Sequence, residues 1–210
     1  SSDLWVNPTP EIEATLADTL VCNDQVFDIT TDSVVYSTGT VRYHMDVTYP
    51  SGVSGVVSDT DYDTGILQDS LHNATDTFKV VSYHLTAFIE GATNTGDCEN
   101  GLDTTIYVWV NPTPEIEATL ADTLVCNDQV FDITTDSLIH STGTVRYQMN
   151  VTYPAGVSGN ITDTDYDIGI LQDSLHNASD TFKVVSYHLT AFIEGATNSG
   201  DCENGIDTTI

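Results

Sequence analysis

The sequence predicts an all-β chain folded as two tandem β-sandwiches. Three observations carry that expectation: an almost exact internal repeat, apolar residues that alternate with polar ones, and no stretch with helical periodicity. Residues 6–106 and 110–210 align without a gap at a constant offset of 104, with 13 differences in 101 positions. Each copy has the size of an independent β domain. The expected domains are 1–109 and 110–210, with the final strand of the second truncated at Ile210. Most differences fall in three patches: Val34/Leu138 to Tyr36/His140, then His44/Gln148 with Asp46/Asn150, then Ser51/Ala155, Val56/Asn160 and Thr64/Ile168. Copies this similar point to a recent duplication inside a longer array.

The elements follow in order. Glu11–Leu16 alternates as a half-buried edge strand should. Asp18–Asp24 brings the first cysteine to a strand end, and Gln25–Ile29 follows as a second strand. Val41, Tyr43, Met45, Val47 and Tyr49 alternate with Arg42, His44, Asp46 and Thr48, so the first set is expected in the core and the second in solvent. Ser51–Gly55 is a turn with a short strand beside it. Gly65–Leu71 reads as a strand whose phase is broken by Asp69, which lies in register with Leu67 and Leu71, and a bulge there would restore it. Phe78–Glu90 is the longest strand, with Val81, Tyr83, Leu85, Ala87 and Ile89 on one face. Gly91–Gly101 is a loop carrying Cys98, and Thr104–Val110 completes about seven strands. Seven short strands in about 100 residues argue for an immunoglobulin-like β-sandwich in each copy.

The charge is extreme: 32 acidic residues against four basic ones, Arg42, Lys79, Arg146 and Lys183, for a net charge of -28. Such a surface repels nucleic acid and anionic membrane faces. The aromatic and apolar content is nevertheless ordinary, which argues against disorder. No apolar run approaches the roughly 20 residues that cross a bilayer, and no signal peptide is visible, so direct membrane insertion is not expected. Cys22, Cys98, Cys126 and Cys202 fall two per copy without a CxxC motif. That pattern predicts one intradomain disulfide per copy in an oxidising compartment, the alternative being buried free thiols in a cytosolic protein.

The joint between copies is the run Ile106–Val110 followed by Asn111-Pro112-Thr113-Pro114, and the same words open the chain at Trp5-Val6-Asn7-Pro8-Thr9-Pro10. Trp5 and Trp109 either pack in their own sandwiches or wedge between neighbours. Because proline fixes its own φ and restricts its predecessor, the inter-repeat joint of Trp5, Trp109, Val110, Asn111, Pro112 and Pro114 is expected to bend little.

Asp69–Thr75 running into Val81–Thr86, the Cys98 loop, Tyr107–Pro114 and Leu124-Val125-Cys126 together resemble the PKD-like repeat of Bacteroidota surface proteins. The likeness covers nearly all of both copies, and Val-Asn-Pro-Thr-Pro is its most specific part. It implies tandem PKD-like sandwiches in very large secreted adhesins, including gliding adhesins exported by type IX secretion. The expected role is therefore a non-catalytic structural repeat of a long extracellular filament, giving reach and display at the cell surface. Its expected partners are neighbouring repeats of the same chain, and surface glycans or other cells. Asp-Ser and Asp-Thr followed by an apolar residue are similar to the O-glycosylation acceptor of the same bacteria. That likeness implies modification at Thr19, Ser33, Ser70, Thr77, Thr123, Ser137, Ser174 and Thr181.

Two further chemistries are open from the residues. Asp59, Asp61 and Asp63, with Asp163, Asp165 and Asp167, form D-x-D-x-D runs that a flexible loop could turn onto one Ca²⁺, although the EF-hand glycine and twelfth-position glutamate are missing. A solvated acidic loop is the other reading; no other cofactor is expected, and a Ca²⁺-dependent glycan-binding module is the alternative function. Asp97, Glu99 and Asp103 form a weaker acidic set. For catalysis the material is His72, His84, Ser70 and Ser82, but no nucleophile elbow or H-E-x-x-H accompanies them, and no enzyme is expected.

Overall fold

The computed structural model describes residues 3–210 and divides into two compact units. The first holds the chain up to Thr75 together with Lys79–Val110; the second holds Asp76–Phe78 with Asn111–Ile210. The boundary thus falls after Val110, one residue later than expected, because Val110 is buried and pairs with Val21 and Lys79 in the first unit's sheet. Every regular element among the described residues is a strand.

The first unit contains β1 (Ile12–Leu16), β2 (Leu20–Val21), β3 (Val26–Ser33), β4 (Thr40–Thr48), β5 (Val53–Ser54), β6 (Thr60–Asp63), β7 (Gly65–Ser70), β8 (His72–Asn73), β9 (Lys79–Glu90) and β10 (Asp103–Val110). A three-stranded sheet, β1-β3-β7, faces a five-stranded one, β2-β10-β9-β4-β6, and β5 pairs with β8 at one end. All pairs are antiparallel except β10 with β2. This is the expected all-β sandwich. Its core follows the alternation in the sequence: Val81, Tyr83, Leu85, Ala87 and Ile89 of β9 are buried, as are Val41, Tyr43 and Met45 of β4. Ile12, Phe27 and Ile29 close the core from the other sheet. Each buried Val, Leu, Ile, Met or Phe among them contributes about 1.5–3 kcal/mol by leaving water.

The second unit repeats the plan with β11 (Ile116–Leu120), β12 (Val130–Ser137), β13 (Thr144–Thr152), β14 (Val157–Ser158), β15 (Thr164–Asp167), β16 (Gly169–Ser174), β17 (His176–Asn177), β18 (Ser186–Glu194) and β19 (Asp207–Thr209). The two sheets are β11-β12-β16 and β15-β13-β18-β19. It differs from the first unit in two places. Leu124–Val125 forms no strand, and β18 starts at Ser186 where its counterpart β9 starts at Lys79, three positions earlier by repeat equivalence. In the first unit Trp109 and Val110 pair with Leu20 and Val21 on one side and with Val80 and Lys79 on the other. The second unit's last strand ends at Thr209, with only Ile210 bonding further, to Tyr187.

Asp69 corrects the expected bulge. The ladder between β3 and β7 runs unbroken from Val26↔Ser70 to Thr31↔Gly65. The strand is in phase, and Asp69 does point into the core, 1% exposed.

Candidate functional site

The acidic run is a strand, not a flexible loop. In β6, Asp61 stands opposite His44 of β4 and Asp63 opposite Arg42. The Asp61 carboxylate lies 2.6 Å from His44 Nδ1, Asp63 forms an ion pair with Arg42 Nε at 2.8 Å, and Asp59 accepts from the Val47 N–H at 2.8 Å. Arg42 also reaches Glu90 at 3.2 Å and lies over the Phe88 ring. The hydrogen bond that Asp61 accepts is the main reason the His44 imidazole is held above its ordinary pKa, with the Asp46 charge adding to it. In the second unit Arg146 bridges Asp167 at 2.7 Å and Glu194 at 3.2 Å, and Asp163 caps the Val151 N–H at 2.9 Å. Asp165 faces Gln148 rather than a histidine.

The three carboxylates expected to converge on one Ca²⁺ are therefore each turned to a different protein donor. Among the described residues no group of three or more His, Cys, Asp or Glu side chains is placed to hold a metal ion. Asp97, of the weaker acidic set, accepts from the Gly91 N–H at 2.7 Å, and Asp103 lies 4.0 Å from His84. Cross-strand pairs of this kind contribute about 0.2–1 kcal/mol each, so their effect is to fix the register of β6 on β4.

The cysteines overturn the intradomain pairing. Cys22 follows Val21, which pairs with Val110, itself opposite Lys79 at one end of β9; Cys98 pairs with Ile89 near the other end. Ten strand positions separate those ends, roughly 33 Å at about 3.3 Å per residue, whereas a disulfide needs Cα atoms within about 7 Å. The second unit repeats the arrangement, with Cys202 pairing with Ile193. Cys22 and Cys202 are each disulfide-bonded, while Cys98 and Cys126 are free thiols. Two cysteines per copy invite an intradomain pair, but their spacing in sequence does not reveal that they sit at opposite ends of a sandwich.

The densest polar cluster is one that the sequence does not announce. Asp69 Oδ1 accepts from the N–H groups of Val56 at 2.7 Å, Val57 at 3.2 Å and Ser70 at 2.8 Å. Its Oδ2 accepts from the Tyr83 hydroxyl at 2.6 Å and, weakly, from that of Tyr49 at 3.5 Å. Asp173 does the same with Asn160, Ser174, Tyr187 and Tyr153. Burial, then the neighbouring carboxylate, drives all four phenols up, Tyr153 to about 12. These hydroxyls stay protonated as donors. With both oxygens occupied, the cluster secures the β5–β7 region to the core.

Two of the histidines weighed for catalysis have other partners. His72 is paired with Asp24 at 2.9 Å, and His84 with Thr105 at 3.0 Å, both at the surface. Ser70 donates its backbone N–H to Asp69 at 2.8 Å. Of the expected O-glycosylation residues, Thr19, Ser33, Thr123 and Thr181 are exposed, and Ser70, Thr77, Ser137 and Ser174 are half-buried. The hydroxyls of Ser33 and Ser137 donate to the carbonyls of Val35 and Ile139.

The joint residues divide between the units. Trp109 is half-buried on β10 and its N–H donates to the Thr19 carbonyl at 2.8 Å. Asn73 Nδ2 donates to the Val110 carbonyl at 3.1 Å. Asn111, fully buried, donates to Thr142 Oγ1 at 2.7 Å and to the Ala196 carbonyl at 3.0 Å, and it accepts from the Thr142 N–H. Asn7 makes the same set of bonds in the first unit, to Thr38 and Ala92. Pro112 and Pro114 are buried, and the Pro114 carbonyl accepts from the Ile206 N–H at 2.9 Å. Trp5 is 80% exposed. The chain matches no family model, and no curated protein or solved structure matches it.

Proposed function

We propose that the chain is a non-catalytic structural repeat of a long extracellular adhesin or surface filament, giving reach and display for adhesion or gliding. The carrying observation is the joint: Val110 ends the first unit's sheet, and the very next residue, Asn111, is already held by the second unit's loops. One unit therefore passes into the next with no linker, and Asn7 repeats the anchor at the start of the first. Asp61 and Asp63 are bonded to His44 and Arg42, His72 to Asp24 and His84 to Thr105. The disulfide-bonded state of Cys22 and Cys202 fits an oxidising compartment, and no helix among the described residues is long and apolar enough to cross a membrane. The strong negative charge keeps such a polymer soluble and apart from nucleic acid. Neighbouring repeats are its first partners, surface glycans or other cells its targets, and type IX secretion its route. O-glycosylation at the exposed Thr19, Thr123 and Thr181 belongs to the same reading. Antibodies raised against the chain should label intact producing cells. Labelling only after cells are broken open would refute the reading.

A further inference from the structure

The outer face of the second unit's four-stranded sheet carries a recess of about 270 Å³. Asp165 of β15, Gln148 of β13, Thr190 and Phe192 of β18, and Asp201 and Glu203 of the following loop line it. Alternation sets this grouping: Tyr147, Met149, Leu189 and Ala191 are buried, so Gln148, Thr190 and Phe192 point outward. Gln148 stands opposite Asp165 on one side and Thr190 on the other. Carboxylates from two parts of the chain thus share one small concavity with a neutral amide and an aromatic ring. Arg146, on the same face, is engaged by Asp167 and Glu194.

The first unit shows what these carboxylates hold. Asp61, at the repeat position of Asp165, lies 2.6 Å from Nδ1 of His44, which stands where the second unit has Gln148. Asp97 and Glu99 occupy the positions of Asp201 and Glu203. The neighbouring carboxylates Asp63 and Asp167 hold guanidinium groups, of Arg42 at 2.8 Å and of Arg146 at 2.7 Å, each lying over a phenyl ring, Phe88 or Phe192. This face therefore pairs its carboxylates with planar N–H groups. The second unit keeps the acids of the recess and replaces the imidazole by an amide. Asn150 also replaces Asp46, the carboxylate 3.6 Å from His44 Nε2. We propose that the recess formed by Gln148, Asp165, Phe192, Asp201 and Glu203 binds a guanidinium group from outside the chain, in the place that the His44 imidazole fills in the first unit. Several N–H donors in one plane let a guanidinium engage a carboxylate with two bonds while meeting other acceptors and stacking on an aromatic face. The acids are not placed to close on one metal ion among the described residues, whereas a larger, flat cation reaches them separately. A free guanidinium compound and the arginine side chain of another protein share this chemistry. The site stands on the recess and its counterpart, independently of any adhesive role.

Nuclear magnetic resonance of the 210-residue chain, titrated with methylguanidinium chloride at constant ionic strength, tests this. The expected result is saturable shifts at the Gln148 side-chain amide and at the Thr190 and Glu203 backbone amides, with their counterparts Thr86 and Glu99 unmoved. Tetramethylammonium chloride has the charge and no N–H donors, and it should bind at least about tenfold more weakly, since one hydrogen bond to a charged group is enough for that difference. Asp165→Asn should weaken methylguanidinium binding by a similar factor, and Gln148→His should abolish it by filling the recess from within. A Gly-Arg-Gly peptide with blocked ends separates the two sources: tighter binding than methylguanidinium means an arginine side chain of a partner, and equal or weaker binding means a free small molecule. Shifts that do not saturate, that tetramethylammonium reproduces, or that survive both substitutions would overturn the proposal. Gln148 and Asp165 are exposed, so neither substitution endangers folding, and both variants should melt with the unaltered protein.

Discussion

The Tyr83 hydroxyl donates to Asp69 Oδ2 at 2.6 Å inside the first unit, and Tyr187 donates to Asp173 at 2.7 Å in the second. A buried carboxylate held by two phenols and a row of backbone N–H groups is costly to break from either side. Removing it leaves several buried donors unsatisfied, which costs about 3–5 kcal/mol. Asp69→Ala in the full chain should therefore lower the urea midpoint of the first unit by that amount of stability while the second unit's transition stays in place, and Asp173→Ala should do the reverse. Tyr83→Phe removes one donor only and should cost about 1.5–3 kcal/mol. Equal midpoints for Asp69→Ala and the parent would show that the network contributes nothing.

Gly101 and Gly205 are close-approach positions. A Cβ on Gly101 would collide with the Ala87 carbonyl oxygen, and one on Gly205 with that of Ala191. Those atoms are backbone and cannot turn aside. Gly101→Ala should destabilise the first unit by about 1–3 kcal/mol, the usual cost of overpacking, read as an earlier unfolding transition. A neutral substitution would mean that the loop is free to move off β9.

The pH dependence differs between the units because Gln148 stands where the first has His44. The folded His44 imidazole is raised by Asp61 and Asp46, so its stabilising contribution is fully present below the ordinary histidine value of about 6.5 and is lost as pH rises through the higher folded value. Proton NMR should show His44 titrating above the ordinary histidine range in the intact chain. Asp61→Asn should bring it down, and a His44 titration that ignores this change would contradict the pairing.

Calcium is expected to leave the melting temperature where an equal ionic strength of sodium chloride puts it. Asp59, Asp61 and Asp63 are already bonded to Val47, His44 and Arg42. Saturable heat in a calorimetric titration would show that these bonds open to admit the ion.

Peptide mapping without reduction should find Cys98 and Cys126 alkylated and Cys22 and Cys202 protected. A linked Cys22–Cys98 peptide would require the two ends of β9 to meet.

Period-two alternation makes the long strands legible in the sequence: each apolar position of β9 that it places inside is buried. The repeat does not mark the division into units in full: the main change falls after Val110, and Asp76–Phe78, inside the first copy, belong to the second unit. What escapes a reading of the residues alone is set by partners distant in sequence. Asp69 reads as a phase error because its Tyr83 and Tyr49 partners lie on other strands, and a carboxylate in a core is a poor guess without them. The acidic run reads as a loop because its strand character comes from pairing with Arg42 and His44 of β4. The cysteine pairing fails for a related reason: two positions in one copy say nothing of which end of the sandwich each occupies.

The central claim is that the chain is a structural unit of an extended array. Electron microscopy of the native protein from its source tests this most directly. A thread of evenly spaced beads, each the size of one sandwich, is the predicted image, and a single compact globule would contradict the account.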